Sequence, residues 1–136
     1  MLPVNPKHPD LIDLRVHGYC TGIDAEGIPD RGPLVITADA RFWEQVMLAF
    51  RYLGDEAKPS KGKGRDSYWL KHEVEYWTEQ LGGRHYIPNG ALIVAAVMKG
   101  LTVRRSEFKY SPNAMIGVSV RPQQRPSQQR NKRTRT

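Results

Sequence analysis

The densest run of chemically able side chains lies between Ser67 and Tyr86, where Lys71, His72, Glu73, Glu75, Arg84, His85 and Tyr86 occur. Histidines and glutamates can ligate a divalent metal, but the recognised helical signal is two histidines four apart on one face. His72 has no histidine at that spacing, and His85 follows only after a glycine pair. Lys71 and Glu75, four apart, fit a helical ion pair instead. No metal site is expected. Arg84, His85 and Tyr86 join a fixed charge, a titratable donor and an amphipathic ring in a short loop. Loops held between rigid elements often carry contacts, and Tyr and Arg are favoured interface anchors. Lys71, His72, Arg84, His85 and Tyr86 therefore form a candidate interaction surface.

Two other constellations fail on spacing. His17 and Cys20 stand three apart in an extended stretch, so they point to opposite faces, and no orienting acid is evident. The run KGKG lacks the spacing and the preceding strand that a phosphate-cradling loop needs. No catalytic residue and no cofactor is expected.

Charge is more informative than chemistry. The 136-residue chain carries a formal net charge of +7, and it is unevenly spread. Residues 121–136 hold Arg121, Arg125, Arg130, Lys132, Arg133 and Arg135 with no acid. Residues 58–65 add Lys58, Lys61, Lys63 and Arg65, again without an acid. The remainder is mildly acidic. Arg104, Arg105 and Lys109 form a third, smaller group, partly offset by Glu107. Polyanions, above all nucleic acids, are the partners such segments attract, through phosphates and with little sequence preference.

The elements that must position these groups follow from periodicity. Residues 1–10, with prolines at 3, 6 and 9, read as an extended arm. Ile12, Leu14 and Val16 alternate with polar residues, as in a half-buried strand. Residues 21–33 are a loop, and Leu34, Val35 and Ile36 form a second short strand. Thr37 or Asp39 caps a helix whose inner face is Phe42, Val46, Ala49, Phe50 and Leu53, with Gly54 as its stop. Residues 55–66 lack an apolar anchor and are expected to be a flexible basic loop.

A second helix starts at Asp66 or Ser67 and shows Leu70, Val74, Trp77 and Leu81 on one stripe, with Lys71, Glu75 and Glu79 off it. It ends at Gly82 and Gly83. Asn89 is the expected N-cap of a third helix, which runs through eight consecutive apolar residues, 91–98, to Gly100. A helix apolar on all sides belongs inside a core. A β-hairpin follows over 101–110 and 114–120, turning at Ser111, Pro112 and Asn113. The tail 121–136 has no large apolar residue and is expected to be disordered.

The predicted fold is thus α+β. Three main helices pack on short antiparallel strands in a single domain, residues 11–120, with a winged-helix-like order in the C-terminal half and a basic tail. In a helix-turn-helix the second helix offers polar side chains to base edges. Leu92, Ile93, Val94, Val97 and Met98 cannot do so, and this helix is expected to be core rather than reading head.

The pieces SYWLKHEVE, YIPNGALIVAA and SPNA resemble a group of small proteins from phages and other bacterial mobile elements, over residues 67–120. Ser67, Tyr68, Leu70, Lys71, His72, Tyr86, Asn89 and Gly90 carry the resemblance. It implies a phage or plasmid setting and no particular activity.

The functional expectation is an accessory protein that binds DNA or RNA through phosphates, using tail, loop and hairpin. The alternative is an adaptor or inhibitor of a host nucleoprotein or defence complex, contacting it around Trp43, Trp69, Tyr76 and Tyr86. The start MLPVNPKHPD lacks a signal-peptide pattern and no stretch is long enough to span a bilayer. Expected localisation is the bacterial cytoplasm, away from membranes.

Overall fold

The computed structural model describes residues 4–5, 8–13, 22–23, 40–106, 108 and 111–122. Several expectations fall outside these residues: the strand at Leu34 to Ile36, the caps Thr37 and Asp39, His17 with Cys20, and Glu107 with Lys109. The tail cations Arg125, Arg130, Lys132, Arg133 and Arg135 lie outside them too.

Near the N-terminus, β1 (Val4–Asn5), β2 (His8–Asp13) and β3 (Gly22–Ile23) form an antiparallel sheet in that order. The expected arm is therefore partly laddered. Its register slips between Val4 and Asn5, which pair with Ile12 and His8. Residues 9–11 thus have no direct partner on β1, and the slip accommodates Pro9, which has no N–H to give to a ladder.

Helix α1 (Ala40–Glu56) follows. It buries Phe42, Val46, Ala49, Tyr52 and Leu53, so Tyr52 takes a core place and Phe50 is only half-buried. Gly54 does not end the helix, contrary to expectation. The Lys99 side chain passes over it, and a Cβ at residue 54 would lie 3.1 Å from Lys99 Nζ.

The basic segment is tied down at both ends. Strand β4 (Ala57–Pro59) pairs antiparallel with β8 (Val118–Val120), and β5 (Arg65–Asp66) pairs with β7 (Ala114–Ile116). The expected flexible loop 55–66 is thus reduced to the connection 60–64. Pairing with the distant segment 114–120 does what apolar anchors do elsewhere. Gly64 has φ +78°, and a Cβ there would collide with the carbonyl of Ile116, so the close approach of the two chains requires glycine.

Helix α2 (Ser67–Gln80) begins under Asp66, whose carboxylate accepts from the amides of Tyr68 (2.8 Å) and Trp69 (3.2 Å). It ends at Leu81, which is exposed rather than on the buried stripe, and Gly82 then takes φ +122°. Helix α3 (Asn89–Met98) is buried from residue 89 to residue 97. Its N-cap is Pro88 and not Asn89, whose side chain is drawn off to the hairpin turn.

Strand β6 (Val103–Arg105) pairs with β7, which gives a third sheet, in the order β5-β7-β6, packed against α2 and α3. The hairpin is as expected, but its second arm breaks at Gly117, and β8 changes partner to β4. Gly117 joins the two ribbons, receiving Ser60 N on its carbonyl (2.9 Å) and donating to Thr102 O (2.8 Å).

The architecture is α+β. One core joins α1, Leu70, Val74 and Trp77 of α2, Ile87, α3, and the inward residues Ala114, Ile116, Val118 and Val120. Each large aliphatic side chain so buried contributes about 1.5–3 kcal/mol. No helix among the described residues is long and apolar enough to cross a membrane.

Candidate nucleic-acid interface

The segment 114–120 organises the basic side of the domain. It is the central strand of one ribbon and an arm of the other, so it gathers cations from distant parts of the chain. In the β5-β7-β6 sheet, Ala114 and Ile116 face the core, and Met115 faces away. Arg104 is Met115's cross-strand partner and so emerges on the same outer face. Its guanidinium reaches back and donates to the carbonyl of Lys63 at 3.4 Å. Lys63, Arg104, Arg105 and Met115 line an open cleft of about 280 Å³. Three cations and no acid border it among the described residues. A phosphate entering it would meet positive charge drawn from two segments of the chain.

Arg65, at the start of β5, lays its guanidinium over the ring of Trp69, 4.8 Å from the centroid. On the other ribbon Lys58 pairs with Ser119, and both are exposed. Arg121, two residues on from Ser119, is exposed as well. Lys61 and Lys99 border a cleft of about 490 Å³ whose wall includes Gly117 and Thr102. After Glu79 the described residues contain no acid at all. The described residues from 80 onward carry only positive charge: Arg84, Lys99, Arg104, Arg105 and Arg121.

The hairpin is held at a set angle by a buried polar chain. Ser67 Oγ donates to Asn89 Oδ1 (2.7 Å) and accepts from Ala114 N (3.0 Å). Asn89 Nδ2 donates to Asn113 Oδ1 (3.0 Å) and to Pro112 O (3.4 Å). The first turns of α2 and α3 are thereby locked to the hairpin turn. Ser67 and Asn89 look like ordinary capping residues in the sequence, and this bridging role had no local signal.

The other candidate group forms a hub around Glu75. Its Oε2 accepts from Lys71 Nζ (3.2 Å) and from the Ile87 amide (3.0 Å). Its Oε1 lies 3.1 Å from His72 Nδ1 and accepts from Arg84 at 3.3 Å. A carboxylate has about four acceptor sites, and here all are engaged. Burial acts to raise the Glu75 pKa, but the Ile87 amide and the Lys71 charge outweigh it and hold the carboxyl below its usual range. For Arg84 desolvation acts to lower the pKa, but its hydrogen bond to Glu75 and the charges of Glu75, Tyr76 and Glu79 together outweigh it and push it up.

Lys71 is thus not a surface residue. Its side chain is 7% exposed, and its ammonium sits between the rings of Tyr86 (4.6 Å) and Tyr68 (5.3 Å). His72 is half-buried, with its ring edge-on to Tyr68, and Arg84 stacks on Tyr76. His85 is exposed, and its amide donates to Thr78 Oγ1 (2.9 Å). Tyr68, Tyr86 and Leu81 are open to solvent. Sequence spacing put Lys71 and Glu75 off the buried stripe. It missed that the loop 82–88 folds back over them.

Comparison with known protein families, curated proteins and solved structures finds no match to this chain. The site is therefore interpreted from its own geometry.

Proposed function

We propose that this chain binds nucleic acid through its phosphates, without reading sequence, as an accessory protein of a phage or mobile element acting in the bacterial cytoplasm. The observation that supports this best is the cleft of Lys63, Arg104 and Arg105. Its members come from segments 41 residues apart, meeting where Arg104 donates to Lys63 O. Burial of α3 argues against a base-reading helix, since residues 89–97 present no side chain to a groove. What remains is charge held on a sheet and a hairpin, with Lys58, Lys61, Arg65 and Arg121 nearby in the chain and the tail as a further source of attraction.

The test is fluorescence anisotropy with labelled DNA and RNA between 50 and 200 mM salt. Affinity should fall steeply with salt. Arg104→Ala with Arg105→Ala should reduce the slope of log K against log salt by about 1.4 on single strands and about 1.8 on duplex. A chain ending at Val120 should keep part of the binding. Salt-independent or absent binding by the full chain would refute the proposal.

A second reading rests on Tyr68 and Tyr86, two exposed rings that flank the Lys71 ammonium of the Glu75 hub. In that reading the rings dock on a host nucleoprotein or defence complex. A pulldown that survives nuclease and high salt would favour it.

A further inference from the structure

Phe108 is the most exposed large apolar side chain among the described residues, at 74%. It sits in the connection between β6 and β7, three residues beyond Arg105. Hiding an apolar ring from water is favourable, so a bare phenyl at the tip of a charged hairpin needs an explanation. Phe108 and its described neighbours are hydrogen-bonded. Ser106 N donates to Asn113 O (3.3 Å) and closes the base of the connection. Phe108 N donates to Ser106 Oγ (3.2 Å), and Ser111 N donates to Phe108 O (3.2 Å). The Phe108 backbone is thus bonded through both its N–H and its carbonyl, while its ring stands in solvent.

We infer that Phe108 is a base-stacking residue and that the nucleic acid bound by this protein is single-stranded. This rests on the nucleic-acid reading above and gives it a substrate class. The ring offers an apolar face, which every unpaired base can stack on irrespective of sequence. Phosphates flanking that base find Arg105 within about 10 Å of extended chain, and beyond it the Lys63–Arg104 cleft. A duplex would gain little from these features. Its bases are already stacked on one another, and the one helix placed to enter a groove is buried.

The experiment uses the full chain with a labelled oligothymidine, and the same length as a duplex, at fixed salt and over a salt series. Phe108→Ala should weaken single-strand binding about 5- to 150-fold, as expected for loss of one stacked base. The salt slope should stay unchanged, because no charge is removed. Phe108→Trp should restore the affinity, and duplex binding should be insensitive to either change. Equal loss on duplex and single strand, or no loss on either, would overturn the single-strand inference and leave the phosphate-binding reading standing. Absence of salt-dependent binding by the unaltered chain would remove both.

Discussion

Replacing Glu75 by glutamine tests whether the hub is as buried as its geometry implies. The substitution preserves size and one acceptor oxygen but removes the charge facing Lys71. Side-chain exposures are 4% for Glu75 and 7% for Lys71, so solvent cannot take over as counter-charge. Leaving one member of a buried pair uncompensated costs about 3–5 kcal/mol. For a domain of this size each kcal/mol corresponds to roughly 4 °C of Tm, giving a fall of about 12–20 °C. Circular dichroism during heating and urea titration at pH 7 would measure it. The double change Lys71→Met with Glu75→Leu should recover only part of the loss, because it removes the uncompensated charge but leaves the buried Ile87 amide without its acceptor. Arg84→Ala should cost no more than about 1 kcal/mol, since that side chain is nearly half exposed. The acid limb gives a second handle. The folded Glu75 carboxyl lies below its usual value, so its contribution is complete above the unfolded pKa of about 4.3. It is lost as pH falls through the folded value. Wild type should therefore lose stability with acid below about pH 4.3, and this component should vanish in Glu75→Gln. A destabilisation under 1 kcal/mol, or one matched by Arg84→Ala, would refute the reasoning.

Two more substitutions probe the frame that carries the cations. The Tyr52 hydroxyl is fully buried with no hydrogen-bond partner among the described residues, and its ionisation is pushed up by burial and then by Glu73 and Glu56. Tyr52→Phe should raise stability by about 1 kcal/mol in urea titration, and alkaline absorbance should show one tyrosine of the wild type ionising only on unfolding. Gly64→Ala forces a residue with a Cβ into positive φ against the Ile116 carbonyl. It should cost at least about 1–2 kcal/mol from the backbone alone, and it should shallow the salt dependence of nucleic-acid binding by loosening Lys63 from Arg104.

What the sequence determined by itself is local. Asp66 sits where an oxygen can cap α2, glycines at 82 and 100 supply the positive φ at which helices stop, and eight consecutive apolar residues leave α3 no place but the interior. The split between a mildly acidic body and basic segments is also a property of the chain alone. Local pattern failed where a distant segment intervened. Gly54 stays helical, and the Lys99 side chain passes over it. Asn89 forgoes its cap for Asn113. Residues 57–59 and 65–66 become strands because 114–120 comes alongside. Only the tertiary structure decided which charges meet. Lys63 joins Arg104 through a ladder register that no window of sequence contains, and Lys71 with Glu75 is buried by the loop after α2. Hydrogen-bond register and burial are set by residues far apart in the chain, so periodicity, which reports on neighbours, could not foresee them.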